Sequence, residues 1–284
     1  MAISHQTFNL VSRDGTVLQG RYWKPGQSPI ATVCLIHGIG EHALRYDNWA
    51  RRFCDAGFMV YALDYRGHGL SEGKKGHIDQ ISDLLDDIGA LVRRSKRNFG
   101  EIPSFLYGHS MGGTLVLEFL VKRRQDFAGA IISSPWLELV KPPSQFLQNV
   151  GKWFDPVCPE VTFSTGIKST HMTSLPKKKE NADKDPLMHG RISIRMFNEI
   201  NKCTESLLEW QNPIRTPLLF MHGTSDPLTK PEASESIANK NTQLYKFMGY
   251  ENTLHEIHNE PIADQAFEDI NNWMSQIILN RLPK

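Results

Sequence analysis

The chain has 284 residues, 40% hydrophobic and 22% charged, with a formal net charge of +1. This length and balance suit one large globular domain, or one domain carrying an inserted unit, and exclude a disordered chain. A net charge so close to zero supplies no global field to attract nucleic acid or an acidic membrane surface. The start, from Met1 to Phe8, lacks the basic stretch and apolar run of a signal peptide. No apolar run approaches the roughly 20 residues needed to span a bilayer.

Phe8 to Ser12 and Thr16 to Trp23 flank Asp14-Gly15 and predict an N-terminal hairpin. Continuous apolar runs then predict strands buried on both faces: Ala31 to His37, Phe58 to Asp64, Ser104 to Gly108, Gly129 to Ser133 and Pro217 to His222. Gln243 to Phe247 is a candidate sixth. Helical patterns lie between them, over Asn48 to Ala56, Asp79 to Asn98 and Met111 to Arg124. A last helix spans about Pro261 to Leu279 and carries Ala266, Ile270, Trp273 and Ile277 on one stripe. Alternating strands and helices predict an α/β fold with a mainly parallel sheet covered on both faces. The alternation stops between Pro135 and Glu209, a stretch too long for an ordinary loop. The expected organisation is a core of residues 1–134 and 210–284 with a mostly helical cap, 135–209, inserted between them. Within the cap, Phe146, Leu147, Val150, Trp153 and Phe154 share one helical face. That face either packs on the core or forms an apolar rim. The run Lys177-Lys178-Lys179-Glu180 reads as a solvated loop. The cysteines Cys34, Cys54, Cys158 and Cys203 show no metal-ligand spacing and no C-x-x-C pair. They read as reduced thiols of a cytoplasmic protein, with Cys34 and Cys54 filling core.

Gly108-His109-Ser110-Met111-Gly112 fits G-x-S-x-G. About one chain in ten of this length would hold that pattern by chance. Its setting is more specific, because a strand precedes it and a helix follows. A serine on such a turn is held exposed beside the positive end of a helix, and its glycine neighbours remove clashing side chains. A serine hydroxyl needs a base, and the base needs an orienting carboxylate. In an α/β-hydrolase arrangement these follow in the order Ser, acid, His. Asp226, in His222-Gly223-Thr224-Ser225-Asp226, directly follows the fifth buried strand. His255 lies in the loop before the last helix, with His258 as the alternative. An oxyanion hole needs two backbone N–H groups. Met111 should supply one, and Ile39, in His37-Gly38-Ile39-Gly40-Glu41-His42, the other. His37 reads as a brace for that loop.

Taken together, His37 to His42, Arg45-Tyr46, Asp64 to Ser71, Gly108 to Gly113, Asp185-Pro186-Leu187, His222 to Asp226 and His255 to Glu260 resemble the monoacylglycerol lipases and bacterial lysophospholipases of the α/β-hydrolase superfamily. The resemblance runs from about Phe8 to Gln276 and carries no cap residues that would contact a head group. It implies a serine esterase cleaving a small lipid ester, with Ser110, Asp226 and His255 as the triad. It needs no metal or cofactor and no nucleic acid. The cap becomes a candidate for peripheral membrane contact. Other acyl hydrolases (thioesterase, carboxylesterase, aminopeptidase) are the rival reading, and a non-catalytic binding protein on the same fold is a remoter one.

Overall fold

Strand propensity, turn glycines and burial agree along most of the chain. In the computed structural model, which describes residues 5–99 and 101–281, the elements run as follows. The hairpin pairs β1 (His5–Val11) with β2 (Val17–Trp23), and Gly15 takes φ 91° in the turn between them. Then come β3 (Ala31–Ile36), α1 (Asp47–Asp55), β4 (Phe58–Leu63), α2 (Ile81–Phe99), β5 (Ser104–His109), α3 (Met111–Arg123) and β6 (Gly129–Ser133). Next are α4 (Gln145–Phe154), β7 (Thr162–Ser164), α5 (Ser169–Met172), α6 (Pro176–Lys184), β8 (Arg191–Ser193) and α7 (Ile194–Glu209). The chain closes with β9 (Leu218–Gly223), α8 (Pro231–Ala238), β10 (Tyr245–Tyr250) and α9 (Ala263–Arg281). Met1–Ser4 and residues 282–284, ends of the expected core segments, lie outside the described residues.

One sheet of eight strands runs β1-β2-β4-β3-β5-β6-β9-β10. From β4 to β10 every pairing is parallel, and β2 joins β4 antiparallel. Every residue of β3, β4, β5, β6 and β9 is buried, as their unbroken apolar runs require. Alternate side chains feed two cores. Cys34 and Ile36 join the layer of α2, α3, α7 and α8, while Val33 and Leu35 join the layer of α1 and α9. Helix α3 is buried along Met111–Val121, so it is the central helix of its layer. The parallel register pairs Ile36 with Gly108 and His109 with Ser133. It therefore brings the loops after β3, β5 and β6 to one edge, the carboxyl end where such sheets bind ligands.

Between β6 and β9 the chain leaves the sheet for four helices and the ribbon β7–β8. One expectation changes here. The lysine run is not a loop but the start of α6. Pro176 opens that helix at its first turn, and Lys184 pairs with Glu180 at i,i+4 spacing. The ribbon, three residues a side, was too short to leave a strand signal. Helix α4 does not pack its apolar face on the core, since none of its residues is buried.

Candidate active site

The turn from β5 into α3 has almost no room. A Cβ on Gly112 would collide with the carbonyl oxygens of Ile36 and His37, and one on Gly108 with the backbone at Gly112 and Gly113. The close approach of α3 to β3 therefore demands glycine at position 112, and its approach to β5 demands glycine at position 108. Ser110 sits between them with φ 54° and ψ −123°, a conformation that non-glycine residues seldom adopt. Backbone bonds hold it there: its N–H donates to Ser133 O at 2.9 Å, and its carbonyl accepts from the N–H groups of Gly113 (2.9 Å), Trp136 (3.1 Å) and Thr114 (3.3 Å).

Asp226 lies in the turn after β9. Its Oδ1 accepts from the N–H groups of Leu228 (2.8 Å) and Thr229 (3.2 Å). Its Oδ2 accepts from the Thr229 hydroxyl at 2.8 Å and lies 3.1 Å from His222 Nε2. The remaining contact of Oδ2, 2.6 Å long, goes to His255 Nδ1. Burial alone would raise the Asp226 pKa. The His255 and His222 rings overcome that and hold the carboxyl well below the usual carboxylate range. Burial likewise opposes a charged His255, yet the Asp226 carboxylate raises its pKa above the ordinary value. The loop carrying His255 is tied to the acid turn, with Ser225 N–H donating to Thr253 O at 3.1 Å.

Asp226 thus meets His255 and not His258. The His258 ring stacks on Tyr46 with centroids 4.6 Å apart, and neither of its nitrogens has a partner among the described residues. Burial pushes its pKa down to about 3. His37 is also buried and packs on Tyr65, with burial holding its pKa well below the ordinary range. Its Nδ1 lies 2.7 Å from Gly38 O, in the loop it borders.

The loop after β3 approaches Ser110 closely: a Cβ on Gly38 would stand 3.1 Å from Ser110 Cβ. Among the described residues, neither the Ile39 nor the Met111 backbone N–H has a hydrogen-bond partner. Sequence reading missed what braces this loop. Glu41 Oε2 accepts from Gly38 N–H at 2.9 Å and from the Tyr46 hydroxyl at 2.8 Å. Arg45 donates to Glu41 and, at 2.7 and 3.0 Å, to both oxygens of Glu256. Burial raises the Glu41 pKa above the usual carboxylate range, whereas Arg45 outweighs burial at Glu256 and keeps it well below that range. Glu41, His109 and Glu256 gather ligand atoms within 4.8 Å, but the Arg45 guanidinium already serves as their cation. The i,i+4 spacing of Glu41 and Arg45 was a usable signal. Glu256, 211 residues from Arg45, left none. Thr229, three residues after Asp226, was a second overlooked cue.

Ser110, His255, Ile39 and Thr229 open onto one cavity of about 680 Å³. Its other walls are mainly apolar, including Trp136, Leu139, Leu147, Phe163, Phe197 and Leu228. A buried serine, a histidine raised by a carboxylate and two free N–H groups beside an apolar space are the parts that acyl transfer uses.

Comparison with known proteins agrees. A family model described as serine aminopeptidase, S33, matches residues 27–262. An uncharacterized abhydrolase domain-containing protein of Dictyostelium discoideum is 33% identical over 275 residues, 96% of this chain; the match spans only 29% of that relative's length. The monoglyceride lipase of Homo sapiens is 29% identical over 280 residues, covering 94% of this chain and 90% of its own. The crystal structure of Paleococcus ferrophilus monoacylglycerol lipase superposes with a TM-score of 0.81 at 26% identity, covering 98% of this chain and all of that one. The chain therefore belongs to the family described as serine aminopeptidase, S33, and is a serine hydrolase with the α/β-hydrolase fold.

Proposed function

We propose that the protein hydrolyses monoacylglycerols or lysophospholipids to a free fatty acid through an acyl-enzyme on Ser110. The apolar cavity that ends on Ser110 and His255 carries this reading, because an acyl chain gains about 25 cal/mol for each Å² it buries there. The similarity to monoglyceride lipases supports the ester. His255 takes the proton as Ser110 Oγ attacks the acyl carbonyl, and Asp226 orients the ring and stabilises the imidazolium. The N–H groups of Ile39 and Met111 receive the oxyanion. His255 returns the proton to the departing alcohol and then activates the water that frees the fatty acid.

The family description raises aminopeptidase activity as the second reading. Such a substrate carries a free ammonium, and no aspartate or glutamate lines the cavity among the described residues. Burying that cation unpaired would be costly, which favours the ester. Residues 135–209 act as a cap in this reading. Phe146, Trp153 and Phe154 stand exposed beside the cavity wall formed by Leu147 and Val150, and we assign them to peripheral membrane contact. No helix among the described residues is long and apolar enough to cross a membrane. Four unpaired cysteines support a reducing, cytoplasmic setting.

Ser110→Ala should remove ester hydrolysis while the melting temperature stays near that of the parent. A panel of monoacylglycerol, lysophospholipid, acyl-CoA and aminoacyl amide, with acyl length varied, tests the substrate. Preference for the amide would overturn the lipid assignment.

A further inference from the structure

The turn that carries Ile39 is not held by the core alone. Gly40 accepts at its carbonyl from the N–H of His189, at 3.0 Å. The approach is so close that a Cβ on Gly40, whose φ is 71°, would collide with the His189 carbonyl oxygen. Two residues on, His42 Nε2 meets Asp185 Oδ2 at 2.8 Å, with the His42 side chain 3% exposed. The second nitrogen of His42 has no partner among the described residues, so the Asp185 carboxylate is the hydrogen-bond partner that ring has there. Asp185 is itself fixed, because its Oδ1 accepts from Leu187 N–H at 2.9 Å. On the other side of the turn, the His189 ring donates from Nε2 to Gly67 O at 3.0 Å and packs on His68, which packs on His37. The segment from Asp185 to His189, between α6 and β8, therefore grips the loop after β3 at Gly40 and His42, directly C-terminal to Ile39, and reaches His37 on its other side by way of His68.

We propose that Asp185, acting through His42, and the backbone of His189, acting on Gly40, are positioning elements that hold the Ile39 N–H toward the acyl oxygen. This rests on the reading of Ile39 and Met111 as the oxyanion donors. A donor in that role acts on the charge that develops in the transition state and hardly at all on the neutral ester. Loosening the grip should weaken transition-state binding and leave ground-state binding in place.

The test uses the full chain, with active sites counted by fluorophosphonate labelling. Parent, Asp185→Asn, Asp185→Ala, His42→Ala and the Asp185→Ala/His42→Ala pair are compared on a short soluble p-nitrophenyl ester. Each is also titrated with a trifluoromethyl ketone, whose adduct carries the oxyanion. We expect kcat per active site to fall about 10- to 100-fold, as misplacing a catalytic group costs, with KM changed less than about twofold. Affinity for the ketone should fall in step with kcat/KM, and the double variant should be no worse than the poorer single one. A merely structural role would lower the number of active sites and leave the ketone affinity per site unchanged. Parental kcat and ketone affinity in Asp185→Ala would overturn the proposal, as would strictly additive losses in the pair. If Asp185→Ala does not fold, Asp185→Asn decides by the same two readouts, since it keeps the acceptor for Leu187. Ser110→Ala runs alongside. Turnover surviving in it defeats the hydrolase reading, whereas an inactive Ser110→Ala beside unaffected Asp185 variants defeats the grip alone.

Discussion

At the scale of single residues, burial and charge compete at Asp226 and His255, and in the proposed mechanism that contest sets the working pH. Both groups are buried, and burial disfavours the charged form of each. The 2.6 Å contact wins in both cases, lowering the acid and raising the base. His255 must be neutral to take the proton from Ser110. Activity should therefore fall as pH drops through a pKa lying above the ordinary histidine value of 6.5. A profile of kcat/KM against pH will show whether its acid limb lies above that value. Asp226→Asn removes the charge that raises His255 and the acceptor that selects its tautomer. It should cut kcat by about 10⁴-fold, the loss known for such a change in serine proteases, and move the acid limb to lower pH. A limb that stays in place would show that Asp226 does not control His255.

At the scale of elements, the elbow between β5 and α3 shows how a backbone constraint fixes where Ser110 stands. Helix α3 can lie directly against β3 only because Gly112 has no side chain, and that contact puts Ser110 beside Gly38. Gly112→Ala drives a methyl group into two backbone carbonyls, which cannot rotate away as a side chain would. Overpacking of this kind should cost about 2–3 kcal/mol or more, read as a lower urea midpoint together with slower fluorophosphonate labelling. Gly26 serves as a contrast. A Cβ added there would meet nothing within 4 Å, so Gly26→Ala should leave both readouts nearly unchanged. Helix α6 carries a different lesson. Its lysine-rich stretch has no apolar stripe, so periodicity could not reveal it, whereas Pro176 and the Glu180–Lys184 pair could have.

At the scale of the whole molecule, the chain between β6 and β9 supplies much of the wall of the cavity that opens on Ser110. Trp153 is 85% and Phe146 74% exposed, and water gives neither ring a favourable contact. If this face meets a lipid surface, Trp153→Asp should weaken sedimentation with phosphatidylcholine vesicles several-fold. Turnover of a short soluble ester should be unchanged, because Trp153 lies outside the cavity wall. Equal vesicle binding by parent and variant would count against membrane contact through α4.

The sequence by itself determined the alternation of buried strands and helices, the Ser110 elbow, and the order in which acid and histidine follow it. These are local properties, written in apolar runs and in glycines that admit only one kind of turn. Only the tertiary structure decided that Asp226 takes His255 rather than His258, that Arg45 links Glu41 to Glu256, and that α4 leaves its apolar face uncovered. It also joined His42 to Asp185 across 143 residues. The physical reason is common to all of these. A side chain's partner depends on which distant loops the sheet brings to one edge, and spacing along the chain carries no record of that distance. Ser110 and its turn could be read from five residues, but the contacts that set His255 and the Ile39 loop around it exist only in the folded molecule.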